Sequence, residues 1–118
     1  MNTSVKLYKL DRLQEMEKPD DGFIRHILQV FISHVPESAA ALVKACENKD
    51  WDNAYFIAHK MKANIDLLEM NAIESEIRTV EHFAKSKIKL EQLPAKASCI
   101  YDFICQATAQ IKNDFDFK

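Results

Sequence analysis

Four histidines, His26, His34, His59 and His82, are the side chains best suited to chemistry near neutral pH. A neutral imidazole is a nucleophile, and its ordinary pKa of about 6.5 leaves it largely neutral at pH 7. His59 differs from the other three in where it sits. On a helical wheel with Met61 at zero, Ala54, Ile57, Ala58, Ile65 and Leu68 all fall within about 60° of Met61, which defines a core face. His59 falls near ~160° and so points to solvent from mid-helix. Ala63, one turn on, gives the ring little shade, and Lys62 can reach the same patch. Lys60 lies on another flank, while Phe56 and Leu67 place apolar groups on the exposed side. An exposed imidazole ringed by small, apolar and cationic residues reads as a docking surface.

That arrangement suits attack on an electrophilic phosphorus, giving a phosphoramidate on the ring nitrogen. Lys62 would offset the added negative charge, and Ala63 would give a donor protein room to approach. Phosphoryl transfer needs Mg²⁺, and no carboxylate cage is evident beside His59, so the donor would bring the metal. His26, His34 and His82 read as solvated polar residues. The competing reading is a helical adaptor in which His59 does no chemistry. It predicts that His59→Gln keeps every function.

Composition removes several other classes. The chain has 118 residues, 47% apolar and 29% charged, enough for one domain with its own core. Its single Gly (Gly22) and three Pro argue against an all-β fold and leave no glycine-rich phosphate cradle or dinucleotide fingerprint. The net charge of −2 makes no case for nucleic acid or an anionic membrane, and the lysines at 60, 62, 85, 87 and 89 are too balanced by acids to change that. No signal peptide or membrane span is visible, so the expected location is the cytoplasm. Cys46, Cys99 and Cys105 form no C-x-x-C pair and read as small, mostly buried apolar residues. A metal-carboxylate bundle would want Glu three residues before a His; those positions hold Phe23, Phe31, Phe56 and Thr79.

The elements that must position His59 are helical throughout. A short N-terminal helix is expected over about residues 4–16, with Val5, Leu7, Tyr8, Leu10, Leu13 and Met16 along one side. The run from Glu17 to Gly22 breaks it, and Asp20 or Asp21 can cap the second helix. That long helix, over about 21–47, carries Ile24, Ile27, Leu28, Phe31, Val35, Ser38, Leu42 and Ala45 in steps of three and four. The steps stay in phase across Pro36, which favours one kinked helix. The His59 helix runs from about Asp50 to Glu69. The next opens at Asn71, where Glu74 completes the spacing of a capping box. The last opens at Pro94, with Leu93, Ala97, Ile100, Ile104, Ala107 and Ile111 as its stripe. Short connections make an antiparallel four-helix bundle over about 21–112, in a single domain spanning 1–118, the expected architecture. A monomer is the expected state.

The run Ala58-His59-Lys60-Met61-Lys62-Ala63-Asn64-Ile65-Asp66-Leu67-Leu68 resembles the signature of histidine-containing phosphotransfer domains. In that family an exposed mid-helix His is followed by a variable residue, an aliphatic residue, a Lys and a Gly or other small residue. The resemblance covers roughly residues 5–112, with two departures: Ala63 stands where Gly is common, and Glu69 where the family often has Gly near the helix end. It implies an all-α four-helix bundle with an extra N-terminal helix, acting as a phosphorelay intermediate of a two-component system. His59 would take a phosphoryl group from a receiver-domain aspartate and pass it to another receiver, with Lys62 assisting. Phe56 and parts of the Phe23–Phe31 helix, with Lys60, Ala63 and Leu67, would meet the partner. Partners would be response-regulator receivers and hybrid sensor histidine kinases, and Mg²⁺ would come from the receiver. With no kinase element, such a chain is a covalent carrier and not an enzyme.

Overall fold

A computed structural model describes residues 6–16 and 21–117. These residues form α1 (Asp11–Met16), α2 (Asp21–Glu47), α3 (Trp51–Leu67), α4 (Asn71–Ser86) and α5 (Leu93–Asp114), with a 3₁₀ turn at Leu90–Gln92 and no strand. Helices α2 to α5 close a four-helix bundle in which each packs on its chain neighbours and α2 packs back on α5. Polar contacts between α3 and α4 show their antiparallel run: Asp52 meets Lys87 just past the end of α4, His59 meets Glu81 and Asp66 meets Arg78. The apolar stripes all turn inward, with Leu28, Leu42, Met61, Ile77, Ile100 and Ile104 fully buried. Two expected core positions in α2, Ile27 and Ser38, are only half-buried, because the centre of the buried stripe passes through Leu28, Ala39 and Leu42.

Helix ends obey local chemistry. Asp50 caps α3, its carboxylate accepting from the Asn53 amide at 3.4 Å. α2 runs unbroken through Pro36. Lys49, Glu69 and Lys87 take the left-handed conformation at φ 59°, 50° and 57° as α2, α3 and α4 end. Glu69 thus adopts the backbone that Gly favours, at a cost of about 1 kcal/mol. Its carboxylate is held by the Arg12 amide at 2.9 Å, which ties the end of α3 to α1. The capping box expected at Asn71 does not form. Met70 occupies the cap without a side-chain bond and is fully buried, so packing of the thioether sets the turn in place of a polar cap. α5 begins at Leu93, one residue before Pro94.

The N-terminal helix is shorter than expected. Ser4, Val5 and residues 17–20 of the breaker lie outside the described residues, and residues 6–10 are irregular, with helix starting only at Asp11. The reason lies in the amides. The Leu7 N–H donates to Gln110 Oε1 and the Lys9 N–H to the Leu68 carbonyl, both at 2.8 Å, so these donors serve the bundle instead of a local helix. Tyr8 of this strap and Leu13 of α1 are both buried, and the Tyr8 hydroxyl donates to Asp114 at 2.6 Å. The cysteines also depart from expectation. Cys46 is buried, its thiol pushed up to about 11 by burial and by the charge of Glu47, but Cys99 and Cys105 are exposed. Both lie off the stripe that steps through Ala97, Ile100, Ile104 and Ala107.

Candidate functional site

His59 stands at the middle of α3, on the face opposite Ala58, Met61 and Ile65, and its side chain is 56% exposed. Its Nδ1 lies 2.6 Å from Glu81 Oε2, across the groove on α4. The other oxygen of Glu81 accepts from Lys62 Nζ at 2.9 Å. Partial burial works against ionisation of Glu81, but the hydrogen bonds and charges of His59 and Lys62 outweigh it and hold the carboxyl below the usual carboxylate range. An ionised carboxylate can only accept, so Nδ1 carries the ring proton and Nε2 keeps a free lone pair when the imidazole is neutral. The pairing thus fixes the tautomer and directs nucleophilic character to Nε2.

Aromatic rings flank the imidazole. Tyr55, one turn back on α3, stacks on it with ring centroids 5.8 Å apart and 29° between planes. Phe56 is 56% exposed, with Lys60 Nζ 5.2 Å from its ring centre. Lys85 of α4 sets its ammonium 5.8 Å from the Tyr55 ring centre. Ala63 is exposed and lines a shallow depression of about 410 Å³ with Arg12, Glu15, Asp66 and Leu67. Among the described residues no group of three or more His, Cys, Asp or Glu is placed to hold a metal ion. No described helix is long and apolar enough to cross a membrane.

The structure therefore leaves His59 exposed between Lys62, which turns to Glu81 on one side, and Phe56 with Lys60 on the other, and puts Ala63 and Leu67 one to two turns further along α3. Three expectations shift. Lys62 is not a loose ammonium: its side chain is 29% exposed and bound to Glu81. Leu67 is half-buried and packs on the core, so only part of it lines the depression. Phe31 is 3% exposed and unavailable to a partner, while Phe23 is half-buried. Sequence reasoning also missed three participants. Tyr55 was readable, since it sits four residues before His59. Glu81 and Lys85 were not, because only the register between α3 and α4 brings them opposite His59 and Tyr55.

Comparison with protein-family models, with curated proteins and with solved structures finds no match to this chain.

Proposed function

We propose that this chain is a phosphorelay intermediate that carries a phosphoryl group on His59 between receiver domains in the cytoplasm. The observation that supports it is the exposed imidazole whose Nδ1 is held by Glu81, leaving Nε2 as the nucleophile. In the reaction, the Nε2 lone pair attacks the phosphorus of an aspartyl phosphate on the partner. An N–P bond forms as the O–P bond breaks, and that electron pair returns to the partner's carboxylate. The ring keeps its proton on Nδ1 and becomes cationic, and Glu81 offsets that charge. Transfer onward is the same step in reverse with a second receiver. Mg²⁺ held by the receiver would supply charge neutralisation for the phosphoryl oxygens. Residues of this chain contribute the nucleophile, its tautomer and the docking face, so the chain is a carrier and turns over no small substrate.

The test is incubation with isolated receiver domains phosphorylated on aspartate. The expected label is acid-labile, confined to His59 and absent from His59→Gln. Label on His26, His34 or His82, or none at all against every receiver of the same genome, refutes the assignment.

A further inference from the structure

The charges around His59 are not evenly matched. Glu81 and Lys62 neutralise each other, and Lys87 is bound to Asp52. Lys60 and Lys85 are both exposed, and neither has a carboxylate within ion-pair distance among the described residues. Each instead rests over an aromatic ring that adjoins His59. Lys60 lies over Phe56, three residues before His59, and Lys85 lies over Tyr55, the ring stacked on the imidazole. The rings restrict two otherwise wandering side chains, so their ammonium groups are held over the aromatic residues one turn before His59. The whole chain is acidic at −2, so its overall field does not draw in an acidic partner. At about 0.1 M salt the screening length is ~10 Å, and only charges close to the contact steer an encounter.

We infer that Lys60 and Lys85 form a two-pronged cationic clamp that captures the acidic rim of the phosphodonor domain and sets it over His59. This rests on the reading of His59 as phosphoacceptor. A donor that carries its phosphoryl group on aspartate and holds Mg²⁺ through further carboxylates presents such a rim. Phe56 supplies the apolar surface between the prongs, and Tyr55 keeps Lys85 aligned with the imidazole.

The experiment compares the wild-type chain with the Lys60→Glu/Lys85→Glu double variant. Phosphoryl transfer is measured from a panel of isolated, phosphorylated receiver domains at about 0.05 M and about 0.5 M salt. Each chain's rate is divided by its own rate of labelling with phosphoramidate, a small donor that has no rim to clamp. Transfer from the receiver should fall about tenfold at low salt, and the deficit should close to about twofold at high salt. A deficit under twofold at low salt overturns the clamp, and so does an equal deficit at both salts, which would mark a packing effect and not a charge effect. Retention of a single-stranded oligonucleotide by the wild-type chain, lost in the double variant, would give the lysines to nucleic acid instead. If phosphoramidate does not label His59 in the wild-type chain, the phosphoacceptor reading itself fails and the clamp falls with it.

Discussion

Replacing Glu81 by Gln sets two effects against each other, and their sizes decide the outcome. The variant loses a charged hydrogen bond to Nδ1 that strengthens as the ring becomes cationic in the transition state. Such bonds contribute about 1.5–3 kcal/mol when shielded. With the His59 side chain 56% exposed, solvent screening reduces this to about 1–1.5 kcal/mol. The same change releases Lys62, which can then turn to the incoming phosphate. That gain is an exposed ion-pair effect of at most about 0.5 kcal/mol. The loss wins by about 0.5–1.5 kcal/mol, so phosphorylation of His59 should slow about two- to tenfold in Glu81→Gln. The partners of Glu81 hold its carboxyl below the usual range, so it is ionised at and above the ordinary carboxylate value of about 4.3. Rates with phosphoramidate, together with ¹⁵N imidazole spectra, separate this role from a merely structural one. Wild-type His59 should show its proton on Nδ1, and the variant should lose that preference. A faster variant would show that release of Lys62 dominates, and a proton on Nε2 in the wild-type chain would refute the tautomer argument outright.

Ala63→Arg puts a bulky side chain one turn from His59, into the depression that Ala63 lines, and should block transfer from receivers while leaving the melting temperature nearly unchanged, since Ala63 is exposed; normal transfer rates would show that clearance there is irrelevant. Tyr8→Phe keeps the buried ring but removes the hydroxyl that donates to Asp114, costing about 1–1.5 kcal/mol at pH 7 by urea unfolding. The hydrogen bond from Tyr8, aided by Lys6, depresses the Asp114 carboxyl. Its contribution is therefore complete above the unfolded value of about 3.9 and lost as pH falls through the lower folded value. The Tyr8→Phe deficit should shrink below about pH 3.9, and a deficit that grows with acid would contradict this. Thr108→Val removes a buried hydroxyl with no hydrogen-bond partner among the described residues and should raise stability by about 0.5–1.5 kcal/mol, whereas a fall would reveal a bond the hydroxyl makes.

Most of the bundle was legible because burial in a helix repeats at steps of three and four. That rule places Ile100, Ile104 and Ile111 on the inside of α5 and Ile73, Ile77 and Val80 on the inside of α4. It fails where a residue's backbone bonds go elsewhere. Leu7, Tyr8 and Leu10 carry a helical spacing, yet residues 6–10 are strapped across the bundle because Gln110 and the Leu68 carbonyl take their amides. Nor does it predict caps: at Asn71 a polar cap was available, but the cap position falls on the buried Met70.

The site divides along the same line. A wheel drawn on one helix reports which side chains leave the core, and it put His59, Phe56 and Ala63 outside correctly. It cannot report what stands opposite. Glu81 has no mark in the sequence that sets it apart from the other acids of α4. The tight turn at Leu68–Met70, with Glu69 left-handed and its carboxylate bound by the Arg12 amide, sets where α4 starts. From that start, the antiparallel register delivers Glu81 to His59 and Lys85 to Tyr55. The chemistry of the imidazole thus depends on a turn whose residues touch no part of it. A change at Glu69 that shifts the register of α4 by one residue would rotate Glu81 about 100° away from His59. It would leave the nucleophile exposed but its tautomer unfixed.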